Sequence, residues 1–164
     1  MTSARMPAQM PDREWIAARI PHSGSMCLLD AVVAWDAERI RCTATSHLSS
    51  DNPLRSKGRL ASVCGIEYAA QAMATHGALL GANDGERPRV GMLTSVRGVQ
   101  THVERLDTLD GPLDIEAGRI GGDDNTVLYR FTVSCADRLL LSGRAAVILD
   151  AAQAAARAAG LVAQ

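Results

Sequence analysis

The stretch that most constrains this chain runs from Arg59 to Ala82, RLASVCGIEYAAQAMATHGALLGA, and it contains a single acid, Glu67. Wound at 3.6 residues per turn, Ile66, Tyr68, Ala69, Ala70, Ala72, Met73, Ala74, Ala78, Leu79 and Leu80 cover almost the whole circumference, so the stretch reads as a helix surrounded by protein. Burying an unpaired carboxylate costs several kcal/mol unless it is paired, hydrogen-bonded or protonated, so Glu67 calls for an explanation. A working acid is one explanation; a helix only half buried, with Glu67, Gln71 and Thr75 turned to water, is the other. Gln71 lies one turn on, on the same face. Glu67, Gln71, His76 and three glycines interrupt the stretch too often for a membrane span.

The rest of the chain is strand-like around this helix. Asp12 caps a short helix through Ile20, and Pro21–Ser25 is turn-like. Met26–Trp35 is the first strand candidate, and Asp36–Glu38 a turn. RIRCTATSHLS follows, alternating Ile40, Cys42 and Ala44 against Arg39, Arg41 and Thr43, the period of a half-buried strand that ends near His47. After the helix, VGMLTSVRGVQTHVERL reads as one long strand or two with a bulge near Gly98. LDIEAGRI leads to the hairpin signal GGDDN, and TVLYRFTVSCA returns with Val127, Tyr129, Phe131, Val133 and Cys135 on one face. A tight turn at Asp137-Arg138 leads into LLLSGRAAVIL. The expected organisation is a disordered segment 1–10, one domain over 11–150, and an Ala-rich helix or tail over 151–164.

With 47% apolar and 21% charged residues and a net charge of −1, the composition is that of a soluble globular protein, with no field suited to nucleic acid or an anionic membrane. Cys27, Cys42, Cys64 and Cys135 lie apart in apolar stretches without metal-ligand spacing and read as core thiols of a reducing cytosol. The N-terminus has no apolar region of the signal-peptide kind. The expected location is cytoplasmic. No nucleotide or phosphate fingerprint is present, and no metal or cofactor is expected.

Two segments carry a family resemblance, IPHSGSMCLLDAVVAWD at 20–36 and GIEYAAQAMA at 65–74. The first resembles the opening strand of the 3-hydroxyacyl-acyl carrier protein dehydratases, the second their central-helix glutamate followed by Ala-Gln. With NPLR at 52–55 and MATHGAL at 73–79, the chain is most similar to the dehydratase-like proteins of aryl polyene clusters, over roughly residues 15–149. The resemblance implies an α+β hotdog fold, a curved antiparallel sheet wrapped around one central helix, which the element order also fits. Such a sheet covers one side of the helix, so a second protomer is expected on the other.

In the relatives the site is a histidine and an acid from different protomers. The acid corresponds to Glu67. The histidine lies in a loop whose counterpart here, SKGRLASVCG, has none. His47, at the end of the second strand, is the favoured substitute and His22 the alternative, the opening-strand histidine of the relatives not being their catalytic one.

Dehydration of a 3-hydroxyacyl thioester needs a base for the C2 proton, an acid for the departing 3-hydroxyl and donors to the thioester oxygen. An imidazole suits the first task, and a carboxyl kept protonated by its apolar surroundings the second. Backbone N–H groups around Ser62–Gly65 at the helix start suit the third, and Gln71 joins Ser62 and Gly65 as a substrate-binding candidate. The resemblance further implies a substrate carried on phosphopantetheine by an acidic acyl carrier protein. Arg55, Lys57 and Arg59 form a basic run beside the expected entrance that suits such a partner; a solvated loop is the plainer reading. The other hypotheses are a non-catalytic hotdog subunit, homo- or heterodimeric, that completes an active dehydratase, and a hotdog thioesterase. His76 is expected to be a packing histidine, His102 a surface residue, and Asp30 a turn or salt-bridge residue.

Overall fold

The computed structural model describes residues 9–22, 24–83, 91–148 and 160. Of the start of the chain (1–10) and the alanine-rich tail (151–164), assigned from sequence to disorder and to a helix or tail, only residues 9, 10 and 160 are among these, with Met10 packed against the core; the rest of both segments lies outside the described residues. Helix α1 (Arg13–Ala17) is a single turn and a half, started by the Asp12 carboxylate accepting from the Trp15 N–H at 2.9 Å. Six strands follow: β1 (Ala31–Trp35), β2 (Arg39–Ala44), β3 (Met92–Thr101), β4 (Leu113–Gly122), β5 (Thr126–Cys135) and β6 (Arg138–Ile148). They form one antiparallel sheet in the order β1-β2-β4-β5-β6-β3, which leaves β1 and β3 as edges. Helix α2 (Gly65–Asn83), entered through a 3-10 turn at Ser62–Cys64, lies against β2, β4 and β5.

Alternation builds the core. Ile40, Cys42 and Ala44 of β2 are buried, as are Val127, Tyr129, Phe131, Val133 and Cys135 of β5, and they meet Tyr68, Ala69, Ala72, Met73 and Leu79 of α2. Gly65 permits the closest approach, since a Cβ there would stand 2.7 Å from Leu141 Cδ2. Ile66, Glu67, Ala70, Ala74 and Gly77 recur at helical spacing and are only half buried, so among the described residues one stripe of α2 has no cover.

Several element bounds differ from the sequence reading, each for a local reason. α2 starts six residues after Arg59 because the preceding backbone is engaged elsewhere. Leu60 accepts from the Leu106 N–H, and the Ser62 N–H donates to Glu104 O. The first strand begins at Ala31, not Met26. Gly24–Met26 forms a 3-10 turn, and the Met26 carbonyl and Leu28 N–H bond to the Gln71 side chain in place of a neighbouring strand. β2 ends at Ala44, and His47 falls in a 3-10 turn over Ser46–Leu48. The β5–β6 hairpin turns on Ala136 and Asp137, both at positive φ, with Cys135 opposite Arg138, so the turn is one residue earlier than expected. β3 is continuous with an irregularity between Arg97 and Gln100 where Gly98 takes φ +60°, and the GGDDN hairpin closes with Asp123 N–H donating to Thr126 O at 2.8 Å.

Candidate functional site

Glu67 sits in the first turn of α2, on the stripe the sheet leaves uncovered. Its Oε1 lies 3.0 Å from Nε2 of His22, which belongs to the segment between α1 and the Gly24–Met26 turn. The side chains are 34% and 26% exposed, so the described residues do not enclose Glu67 in the apolar surroundings expected from the helix composition. Among the described residues Oε2 of Glu67 has no hydrogen-bond partner, which makes it the oxygen free to meet a ligand. The Nδ1 atom of His22 is enclosed and lacks a hydrogen-bond partner, consistent with a ring that carries its proton on Nε2 and donates it to the carboxylate.

Gln71 holds this arrangement together. It is fully buried; its Oε1 accepts from the Leu28 N–H at 2.9 Å and its Nε2 donates to Met26 O at 2.7 Å, with a weaker contact to Glu67 Oε1 at 3.4 Å. Its hydrogen bonds are spent on the segment that carries His22, so it positions the pair and is not a group that a substrate meets. A second network anchors the same segment at Leu28. Ser46 Oγ donates to Leu28 O at 2.7 Å and meets the Tyr68 hydroxyl at 2.8 Å, and Asn52 Nδ2 donates to Ser46 O and to the same hydroxyl. Burial raises the Tyr68 pKa, keeping it a neutral strut. Neither role was read from sequence, where Tyr68 counted only as an apolar face and Gln71 as a ligand-facing amide.

The other expected site residues are placed elsewhere. His47 is fully buried and its Nε2 bonds to Leu109 O at 3.0 Å, with no contact to Glu67. Burial lowers its pKa, partly offset by the facing carbonyl. The structure thus pairs the acid with the less favoured histidine, His22. His76 is a packing histidine as expected, fully buried between the Tyr129 hydroxyl and Asp36 O at 2.8 Å each; burial lowers its pKa and pushes Tyr129 up to about 12. His102 is exposed, and Asp30 accepts from the Thr45 hydroxyl at 2.7 Å.

At the helix start the N–H groups of Ser62, Cys64 and Gly65 already donate within the chain, so Ser62 and Gly65 are not open backbone donors here. The basic run is also not three free cations. Arg55 donates to Ser49 O, Gly58 O and His47 O and pairs with Asp107, and its side chain is 16% exposed; Lys57 and Arg59 are exposed. Asp107 in turn accepts from the Leu60 N–H and from Arg105, whose guanidinium holds its carboxyl well below the usual range.

A carboxyl in contact with an imidazole, on the open face of a helix filling an antiparallel sheet, is proton-transfer equipment that needs a family context. The sequence model of the ApeP-like family, described as ApeP dehydratase, matches residues 15–160. The chain belongs to the ApeP-like dehydratase family. Among solved structures it is similar to the dehydratase heterocomplex ApeI:P from Xenorhabdus doucetiae, with 23% identity over 88% of this chain and 96% of that one at a TM-score of 0.77. It is also similar to zebra fish thioesterase superfamily member 2 (10% identity, 84% and 94% coverage, TM-score 0.59) and to a mutant thioesterase from Pseudomonas aeruginosa (17%, 86% and 96%, 0.56). No curated protein matches the sequence. At these identities the structures establish the hotdog fold for this ApeP-like chain, as the element order implied. No described helix is long and apolar enough to cross a membrane, and the described residues hold no cluster of His, Cys, Asp and Glu with metal-binding geometry.

Proposed function

We propose that this ApeP-like protein is the glutamate-bearing subunit of a two-subunit hotdog dehydratase. The assembly removes water from a 3-hydroxyacyl thioester on the phosphopantetheine of an acyl carrier protein, giving the trans-2-enoyl thioester in fatty acid or aryl polyene type synthesis. The observation that carries the reading is the Glu67–His22 pair at 3.0 Å with Glu67 Oε2 left free on the uncovered stripe of α2. Elimination needs one group at the C2 hydrogen and another at the C3 hydroxyl. Because Glu67 and His22 touch each other, they act as one proton station. Glu67, protonated on Oε2, gives that proton to the departing hydroxyl, which leaves as water, and the Nε2–H of His22 hydrogen-bonds the carboxylate that remains. His47 and His76 are buried and bonded elsewhere, so the base for C2 comes from a second subunit docked over the open stripe.

Two further observations support a partner. β3 is a ten-residue edge strand, and an edge that long is normally paired or protected. The ApeI:P structure that this chain resembles is a heterocomplex of dehydratase subunits. No cofactor is needed for the chemistry.

The test is a coupled assay of enoyl thioester formation from a 3-hydroxyacyl carrier substrate, run with this protein alone and with a second hotdog subunit. The expected result is turnover only in the mixture, falling about 10²–10⁴-fold with Glu67→Gln at unchanged assembly. A Glu67→Gln mixture as active as wild type eliminates the reading and leaves a purely structural subunit. Release of free thiol without enoyl product selects thioester hydrolysis instead.

A further inference from the structure

The outer face of the sheet, turned away from α2, carries a charge pattern that the Glu67 site does not use. Strand register places Arg39 of β2 opposite Gly118 of β4, Gly118 opposite Arg130 of β5, Arg130 opposite Arg144 of β6, and Arg144 opposite Arg97 of the edge strand β3. All four arginines are exposed, while their chain neighbours Ile40, Phe131 and Ala145 are buried, so pleating puts the four guanidinium groups on one face in one transverse row.

The acids on that face do not neutralise the row. Asp114 and Glu116 both turn to Arg41, at 3.0 and 3.8 Å. Asp36 spends its carboxylate on the N–H groups of Glu38 and Arg39 in the β1–β2 turn, and Glu38, though next to Arg39 in the chain, forms no ion pair with it. Among the described residues no ion pair engages Arg39, Arg97, Arg130 or Arg144. Like charges directly opposite one another oppose strand pairing, so three arginines in adjacent register weaken the isolated sheet. A local conflict of this kind marks a functional surface whose partner relieves it.

We propose that the row is a docking surface for an acidic α-helix of a partner protein, laid across the strands. Adjacent strands are about 4.8 Å apart, so the five positions span about 19 Å. A helix advances about 5.4 Å per turn, and acids at i, i+4, i+7 and i+11 present one carboxylate per turn along one face. The first three carboxylates meet Arg97, Arg144 and Arg130, and the fourth, about 16.5 Å along, falls between Gly118 at about 14.4 Å and Arg39 at about 19 Å, within reach of the Arg39 side chain. Beside Gly118 lies a groove of about 610 Å³, lined by Arg39, Arg41, Arg119, Arg130 and Ile120, by Asp36 and Glu38 toward the β1–β2 turn, and by Glu116, and an uncharged side chain of the docked helix fits there. A nucleic acid is disfavoured because the chain carries a net charge of −1 and has no long-range positive field to gather one. The surface lies on the opposite side of the sheet from α2, and the proposal does not rest on the dehydratase reading.

The probe is a labelled 20-residue helical peptide with glutamates at i, i+4, i+7 and i+11, titrated with the full-length protein by fluorescence anisotropy at low salt. A peptide of the same composition with its glutamates spread around the helix and a single-stranded DNA 12-mer serve as comparators. Expected is saturable one-site binding, tightest for the one-faced peptide. It weakens at least tenfold in Arg130→Ser/Arg144→Ser and again in Arg39→Ser/Arg97→Ser, while Arg138→Ser, off the row, leaves it unchanged. Either paired variant that melts no lower than wild type suffices for the comparison. Equal affinity for the two peptides, tighter binding of the DNA, no change in the folded variants, or no saturable binding overturns the proposal.

Discussion

Replacing Gln71 by alanine removes a side chain that makes two backbone hydrogen bonds along residues 26–28 in place of a neighbouring strand. The amide satisfies the Leu28 N–H at 2.9 Å and the Met26 carbonyl at 2.7 Å, and it is fully buried. Leaving the buried Leu28 N–H unpaired costs about 1–3 kcal/mol, the part-buried Met26 carbonyl adds a smaller amount, and the vacated amide volume adds to both. We expect Gln71→Ala to lose about 4 kcal/mol, and Gln71→Met, which restores the volume without the hydrogen bonds, about 2–3 kcal/mol. For a domain of this size each kcal/mol moves Tm by about 2–4 °C, so the alanine variant melts roughly 8–16 °C lower. Urea unfolding followed by far-UV circular dichroism gives both differences, with an unchanged m-value as the check that the unfolded state is the same. If both variants unfold within about 0.5 kcal/mol of wild type, the size of an ordinary surface substitution, the clamp assigned to Gln71 is wrong. The reasoning also has a functional arm. A loosened His22 segment lowers activity of the assembled dehydratase in both variants, by more than their reduced folded fraction accounts for.

Other perturbations test the surrounding frame. His76 and His47 have pKa values lowered in the fold by burial, so the unfolded chain binds more protons below about pH 6.5. Stability is therefore full above that pH and falls as the pH drops toward 5; His76→Gln flattens the decline, read as Tm against pH. Asp107→Asn weakens the charge on which Arg55 and Arg105 converge beside the Leu60 N–H and costs about 2–4 kcal/mol, seen as a lower urea midpoint. Gly65→Ala drives a methyl group to 2.7 Å from Leu141 Cδ2 and destabilises by about 1–3 kcal/mol. Gly77→Ala, with nothing within 4 Å, gains up to about 1 kcal/mol of helix propensity; opposite signs in one thermal melt series are the expected result.

The elements that were legible are those whose signal is periodic. The alternation in Arg39–Ala44 and Thr126–Cys135 gave strands with the correct buried face, and the apolar run around Tyr68 gave the central helix. Bounds were missed where a side chain replaced a backbone partner. Gln71 bonds Met26 and Leu28, so a β-rich run begins with a turn; the backbone bonds of Leu60 and Ser62 hold back the helix start. Glu67 stood out because an acid in an apolar helix is chemically costly. Its partner did not, because His22 and Glu67 are 45 positions apart and nothing local links them. The preference for His47 followed strand order and loop position, and both were overridden by burial, since the Leu109 carbonyl takes up its Nε2 in the interior. Arg55 belongs to the same class of error, a cation in a polar loop that is in fact a structural brace.

Under the proposed elimination, the contact that makes Glu67 look like a finished dyad is also the reason a second subunit is invoked. A base and an acid that eliminate water must stand on either side of a C2–C3 bond, separated by the substrate, whereas His22 and Glu67 are 3.0 Å apart. Opening that contact within the chain is opposed by Gln71, which holds the His22 segment to the same helix through two short hydrogen bonds. The remaining geometry is one in which the substrate approaches the free Oε2 from the uncovered side of α2. On that side the helix presents Ala70, Ala74 and Gly77, residues small enough for another backbone to come close, and no further titratable group. In the proposed assembly, a second hotdog subunit seated there would supply the base and exclude water from the carboxyl in the same step, giving Glu67 the desolvated surroundings that proton donation requires.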